Sequence, residues 1–318
     1  MWALVCGVLG AASGGYAQEY EVEGRLASKY EYSSGLFETT YNFRVSVKDC
    51  QWSIENVCLT RTKDGKDDPR PYEYIIGASD EQNIYQLTYF AHLFPPLSSL
   101  PPDQRMRTAT NVGTAKIMTG PVPHDLDPGI SDLWLTFCSH CYFRTVKDQF
   151  ICFTPQLGDN ALYRKDYRMR ARWVTQTQEP HLPREVTYSG EMAWEASASN
   201  QTASAELRNT NIAFRVLAYT NIDALEIPRS VIIKKYFNGP QNLFILSETV
   251  SIEVTNCLRK ISIQSFVPKV PGQVYLWDLR YEKATPPARV TTMSEKWLTT
   301  NETKRLYDLA VQPASEAN

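Results

Sequence analysis

The chain has 318 residues, and its 33 Lys and Arg against 35 Asp and Glu leave a formal charge of -2, a balance that gives no footprint for a nucleic-acid or polyanion binder. Aromatic residues make up 12%, 18 of them Tyr being the largest share, which suits strand-rich surfaces better than helical bundles. With four His (His92, His124, His140, His181) and no GxSxG, HExxH or P-loop pattern, acid–base, triad and nucleotide chemistry have little to build on, and no catalytic residue, metal or cofactor is expected.

Met1 to Ala17 carries no charged side chain. Its apolar run, Trp2 to Ala12, followed by Gly15-Tyr16-Ala17, reads as an export signal cleaved before Gln18, although the segment before the run has no Lys or Arg. The run is shorter than the ~20 apolar residues of a membrane span, and Cys6 sits too early to be a lipoprotein cysteine. A secreted or periplasmic, soluble chain is expected, with one extended β-rich domain over 18–309 and a disordered tail over 310–318.

The first strands alternate. Tyr20 to Tyr32 does so loosely, and Tyr41 to Val47 sets Tyr41, Phe43, Val45 and Val47 on one face against Asn42, Arg44, Ser46 and Lys48 on the other. Gln51 to Leu59 follows as a strand, then a charged loop over Thr62 to Arg70. Tyr72 to Ile76 and Asn83 to Tyr89 flank a turn at Gly77 to Glu81. Two proline-rich stretches, Phe94 to Asp103 and Gly120 to Pro128, bracket a short polar segment and read as an insertion or cover. Ser131 caps an expected helix from Asp132 to Phe143, with Leu133, Trp134, Phe137, Cys138 and Cys141 on one side. Further strands are expected over Tyr163–Thr175, Glu185–Tyr188, Leu207–Thr220, Arg229–Phe237, Leu243–Thr255, Ile261–Phe266 and Val274–Tyr281, with Ala196 to Ala205 as an exposed loop. Val45 to Ile54 and Ile252 to Ile263 echo one another faintly, and a true repeat would put Cys50 and Cys257 in equivalent places.

Six cysteines remain after the signal: Cys50, Cys58, Cys138, Cys141, Cys152 and Cys257. An even count in an exported chain invites disulfides, but Cys50, Trp52, Ile54 and Cys58 share the face that should be buried, where plain core cysteines fit as well. Cys138-Ser-His-Cys141 is a CxxC late in the expected helix, where the dipole disfavours a thiolate. A structural bridge between Cys138 and Cys141, or a buried pair of thiols, fits better there than redox chemistry or zinc. Asp125 and Asp127 near His124 are weak material for a metal. Asn200-Gln-Thr202 and Asn301-Glu-Thr303 are sequons.

One strand carries a candidate ligand surface. Arg168, Arg170 and Arg172 alternate with Tyr167, Met169, Ala171 and Trp173, and guanidinium stems ~7 Å apart suit an anionic lipid head group or a glycan carboxylate. A solvated face paired with Asp or Glu fits the same pattern. Trp52 and Trp173 are the aromatic candidates for an apolar ligand.

Trp52 and Ile54, followed by the hairpin bearing Gly77, Asp80, Asn83, Tyr85 and Leu87, resemble uncharacterised exported bacterial β-rich proteins and are distantly similar to the periplasmic lipoprotein-carrier (LolA-like) half-barrels. That resemblance covers the opening of the mature chain through Tyr89. It implies an open, strongly curved antiparallel sheet wrapped over helices, with an apolar cavity for acyl chains. The expected fold is therefore mainly β (α+β), a large curved antiparallel sheet or half-barrel with one packed helix near 132–143. The expected function is a non-enzymatic exported protein that holds a lipid or lipoprotein acyl group in a concave sheet. A cell-envelope interaction module, marked by an exposed apolar patch without a cavity, is the alternative, and an envelope hydrolase, marked by carboxylates converging in a cleft, is a second.

Overall fold

The computed structural model describes residues 18–32, 34–68, 72–91, 113–119, 126–140, 167–192, 210–238, 244–261, 263–270, 272–281, 284 and 289–311. The expected signal segment, the second proline stretch before residue 126, the Ala196 to Ala205 loop and Asn200 lie outside these residues.

The chain builds one open, curved sheet. Its strands are β1 (Glu19–Tyr32), β2 (Gly35–Lys48), β3 (Gln51–Lys63), β4 (Lys66–Asp67), β5 (Tyr72–Ser79), β6 (Asn83–Ala91), β7 (Gly113–Thr119), β8 (Tyr167–Thr175), β9 (Pro183–Met192), β10 (Thr210–Ile222), β11 (Leu225–Asn238), β12 (Phe244–Leu258), β13 (Val274–Asp278) and β14 (Val290–Ser294). They lie in the order β14-β13-β7-β6-β5-β3-β2-β1-β12-β11-β10-β9-β8, with the short β4 paired to β3. Neighbours are antiparallel except β7 and β13, which run parallel. Two helices accompany the sheet among the described residues, α1 (Pro128–Phe137) and α2 (Thr300–Val311).

Alternation explains the inner face. On β2, Phe43, Val45 and Val47 are buried while Asn42, Arg44 and Lys48 are exposed, as read from the sequence. Tyr41, however, is half-buried, and Ser46, expected on the outer face, is buried and donates to Glu21 Oε2 at 2.8 Å. On β3, Trp52, Ile54 and Cys58 are buried as expected. These strands, joined by Val250, Ile252, Val231, Ile233 and Phe214 from the other half of the sheet, pack onto α1 in one core.

Helix α1 starts earlier than expected. Pro128 occupies its first turn, where a missing N–H costs nothing, and the Ser131 hydroxyl donates to the Leu126 carbonyl at 3.3 Å. It does not cap a helix beginning at Asp132. The helix ends at Phe137, and Cys138 donates its N–H back to the Trp134 carbonyl at 2.8 Å; residues 141–143 lie outside the described set. Every residue from Ile130 to Phe137 is buried, so the helix has no solvent-facing stripe along this stretch.

Four other expectations are corrected. The charged stretch after Thr62 contains a tight hairpin to β4, with Asp64 and Gly65 at positive φ of 52° and 75°, the Asp-Gly pair that such turns demand. Nothing lies within 4 Å of a Cβ built on Gly65, so Gly65→Ala is expected to cost about 1 kcal/mol through backbone strain alone, readable as a lowered thermal midpoint. The segment between the proline stretches supplies β7, which lies inside the sheet between β6 and β13. Residues 261 and 263–266 form no strand, so the echo around Cys257 fails: Cys257 sits within β12 opposite Val22, whereas Cys50 stands in the β2–β3 turn. Beyond Tyr281, where the sequence reading places no element and expects no second helix, lie β14 and α2.

A second core explains those last elements. Tyr85, Leu87, Tyr89, Ala115, Ile117, Val274 and Leu276 form a separate cluster, covered by Trp297 and Leu298. Trp297 Nε1 donates to the Pro268 carbonyl at 2.7 Å. Helix α2 is fastened by the fully buried Asp278, which accepts from the Thr303 hydroxyl and from Arg280 Nη2, both at 2.6 Å.

Candidate functional site

The N-terminal turn of α1 does not seal against the sheet. Between it and the inner faces of β1, β2, β3, β5, β6 and β12 lies a cavity of about 480 Å³. Four features of its wall define its chemistry.

The first is Arg61. Strict alternation from Cys58 would turn Arg61 outward, but β3 carries a bulge: Tyr41 faces Cys58 and Thr40 faces Thr60, leaving Leu59 without a partner. The extra residue shifts the phase, and Arg61 points inward, 6% exposed. Its Nη2 lies 3.1 Å from Glu73 Oε2 and donates to the Tyr41 hydroxyl at 3.5 Å. Burial, helped by Glu73, pushes the Tyr41 hydroxyl well above its ordinary range, so it stays protonated.

A buried charge triad is the second. Lys235 Nζ on β11 lies 2.8 Å from Asp132 Oδ2 on α1 and 3.2 Å from Glu248 Oε2 on β12. Ser28 donates to Glu248 Oε1 at 2.5 Å. Both carboxylates line the cavity. Burial raises Asp132 from the ordinary 3.8 to about 6, Glu248 adding to the rise and Lys235 opposing it. Burial alone would lower Lys235, but the two carboxylates outweigh it and hold the ammonium charged.

The third is the anchoring of the helix start. Gln86 Oε1 accepts the Asp127 N–H at 2.8 Å, Gln86 Nε2 donates to Thr88 Oγ1 at 3.2 Å, and that hydroxyl donates to Asp127 Oδ2 at 3.2 Å. Asp127 makes no side-chain cap bond to its own helix and is one of the residues that line the cavity.

The fourth is Asn56. It is fully buried, lines the cavity, and neither its Oδ1 nor its Nδ2 has a hydrogen-bond partner in the protein. The amide occupies the place of a missing side chain, since a Cβ on Gly129 would fall 2.6 Å from Asn56 Nδ2. An unmet buried amide costs about 1–3 kcal/mol per group.

The residues singled out from sequence are not gathered here. Trp52 is 3% exposed in the main core and does not line the cavity. Arg168, Arg170, Arg172 and Trp173 lie on β8, the edge strand, with backbones paired to Glu191, Ser189, Thr187 and Val186. Their side chains lie outside the described residues. Four strand steps separate β8 from β12, the nearest strand of the cavity wall. Cys138 is a free thiol, buried and pushed well above its ordinary range by burial; of the two readings of the CxxC this excludes the bridge to Cys141 and agrees, at Cys138, with a buried thiol. Cys50 instead carries a disulfide, with its partner outside the described residues, as is Cys141. Beside it, His140 Nε2 lies 2.8 Å from the Asp49 carbonyl. Cys58 and Cys257 are free. Asp125 and His124 lie outside the described residues, and Asn301 is exposed in the first turn of α2. No helix among the described residues is long and apolar enough to cross a membrane.

No family model matches the chain, and no curated protein matches it. Among solved structures, the chain is similar to one in a crystal structure of MucB in complex with MucA(peri), at 9% identity, covering 77% of this chain and 94% of that one with a TM-score of 0.08. A likeness of that size carries no argument about function.

Proposed function

We propose that the chain is a non-enzymatic binding protein of the cell envelope whose concave sheet holds a small, largely polar ligand against the start of α1. The observation that carries this reading is Asn56, a fully buried amide with no protein partner, facing a cavity of about 480 Å³. A ligand that meets both amide atoms removes the cost of leaving them bare. The acyl-carrier form of the reading loses its support, because Arg61, Glu73, Asp127, Asp132 and Glu248 line the wall and Trp52 is core. An interaction module without a ligand has less behind it, since its mark was an exposed apolar patch with no cavity.

A hydrolase keeps a specific observation in its favour: carboxylates converge in one cavity, and burial raises Asp132 above the ordinary carboxylate range, the direction a general acid needs. Against it, Lys235 engages both Asp132 and Glu248, and Arg61 engages Glu73, leaving Asp127 as the one lining carboxylate without a cation among the described residues.

Native mass spectrometry of protein purified from its own host tests the binding reading. The unaltered chain is expected to carry a bound small molecule that Asn56→Leu, with its amide replaced by an apolar group of similar size, does not retain. A clean apo mass for both proteins would sink the retained-ligand reading.

A further inference from the structure

The charges around the cavity select among polar ligands. Among the described residues its wall carries four carboxylates, Glu73, Asp127, Asp132 and Glu248, and one cation, Arg61. Behind the wall, Lys235 serves Asp132 and Glu248 together. Arg61 serves Glu73. Among the described residues no cation pairs with Asp127, which accepts from the Thr88 hydroxyl. A bound anion would therefore enter against uncompensated negative charge, while a bound cation would offset it. The dipole of α1 favours an anion at this end, but Asp127 already stands at the helix start and supplies that negative charge.

Asn56 narrows the class further. Whichever way its amide is turned, it presents one acceptor and two donor hydrogens, so a bare metal ion would leave the N–H side unmet. No group of three or more His, Cys, Asp or Glu among the described residues is placed to hold a metal ion. The ligand must bring a donor for Oδ1 and an acceptor for Nδ2. Tyr30 and Tyr41 also line the cavity, and tyrosine rings attract an ammonium group.

From this geometry we propose that the cavity binds a small organic amine that also carries hydroxyl or carbonyl oxygen, the amino-sugar and amino-alcohol class, with its ammonium against Asp127 and Asn56 meeting the neighbouring polar atoms. This rests on the cavity being the binding site.

Three probes of matched ring and different charge test it by isothermal titration on the full chain: glucosamine, glucose and glucuronate. Glucosamine is expected to bind at least about tenfold more tightly than the other two, to lose about tenfold with Asp127→Asn, and to lose binding with Asn56→Leu. The comparison among probes needs no variant, so it stands even if Asp127→Asn misfolds. Glucose binding equally well, or glucuronate binding better, would overturn the amine class and leave the binding reading in place. If no probe binds, the molecule retained in native mass spectrometry decides: one without a basic nitrogen overturns the amine, and the absence of any retained molecule overturns the binding reading with it.

Discussion

Replacing Lys235 with Met is expected to lower stability by about 3–5 kcal/mol near neutral pH and by clearly less near pH 5. The wild-type triad holds two carboxylates against one ammonium, all three nearly excluded from water. Removing the ammonium leaves Asp132 and Glu248 as uncompensated buried charges, which is the costly way to break such a group. The pH dependence follows from the raised Asp132. Between its ordinary 3.8 and about 6 the folded chain binds more proton than the unfolded chain. The Asp132 contribution is thus fully present below 3.8 and is lost as pH rises through about 6. Without Lys235 the drive to protonate is stronger, so acid relieves more of the penalty. Urea unfolding at the two pH values measures the difference, and an equal loss at both would show that the carboxylates are not what the lysine offsets. The triple variant Lys235→Met, Asp132→Asn, Glu248→Gln is expected to recover much of the loss, because it removes the charges together.

How much of this site could be read in advance differs residue by residue. Lys235 and Glu248 were legible: each sits at an inward position of a strand whose other inward residues are Val231 and Ile233, or Val250 and Ile252, and a charge in such a stripe is buried and must be paired. Asn56 was legible in the same way, between Ile54 and Cys58 on the face the alternation marks as buried. Arg61 was not. Its inward turn depends on the unpaired Leu59, and a bulge shows itself only in the register with β2. Asp127 joins the site because Pro128 starts α1 four residues before the Asp132 expected from the Ser131 cap.

The fold divides along a similar line. The hairpins β1–β2–β3 and β5–β6 are local, each signalled by alternation and a nearby turn, and their neighbours in sequence are their neighbours in the sheet. The closing pairs are remote: β1 meets β12, and β7 meets β13 in parallel. Neither pairing leaves a local mark. β7 has Gly113, Ala115 and Lys116, too little alternating bulk to stand out beside two proline-rich stretches, and it is a strand because β6 and β13 flank it.

That remote part of the sheet makes the second expected result, a loss of about 3 kcal/mol on Asp278→Ala. Asp278 is fully buried at the end of β13 and accepts from Arg280 and Thr303. Arg280 Nη2 also donates to the Leu298 carbonyl at 2.8 Å, and Tyr281 stacks on Tyr307 with ring centroids 4.5 Å apart. Without the carboxylate, the Arg280 side chain, 8% exposed, keeps its charge in a pocket with no counter-ion. The pair is tested by a double-mutant cycle: Arg280→Met should cost much less in the Asp278→Ala background than alone. Additive losses would mean that the two side chains stabilise the fold independently. Because the cluster under Trp297 and Leu298 is separate from the main core, the damage should also be local. Amide exchange is expected to quicken across α2 and β14 while β1, β2 and β12 keep their protection; quickening throughout the sheet would instead make the closing segment part of one cooperative unit with the cavity half.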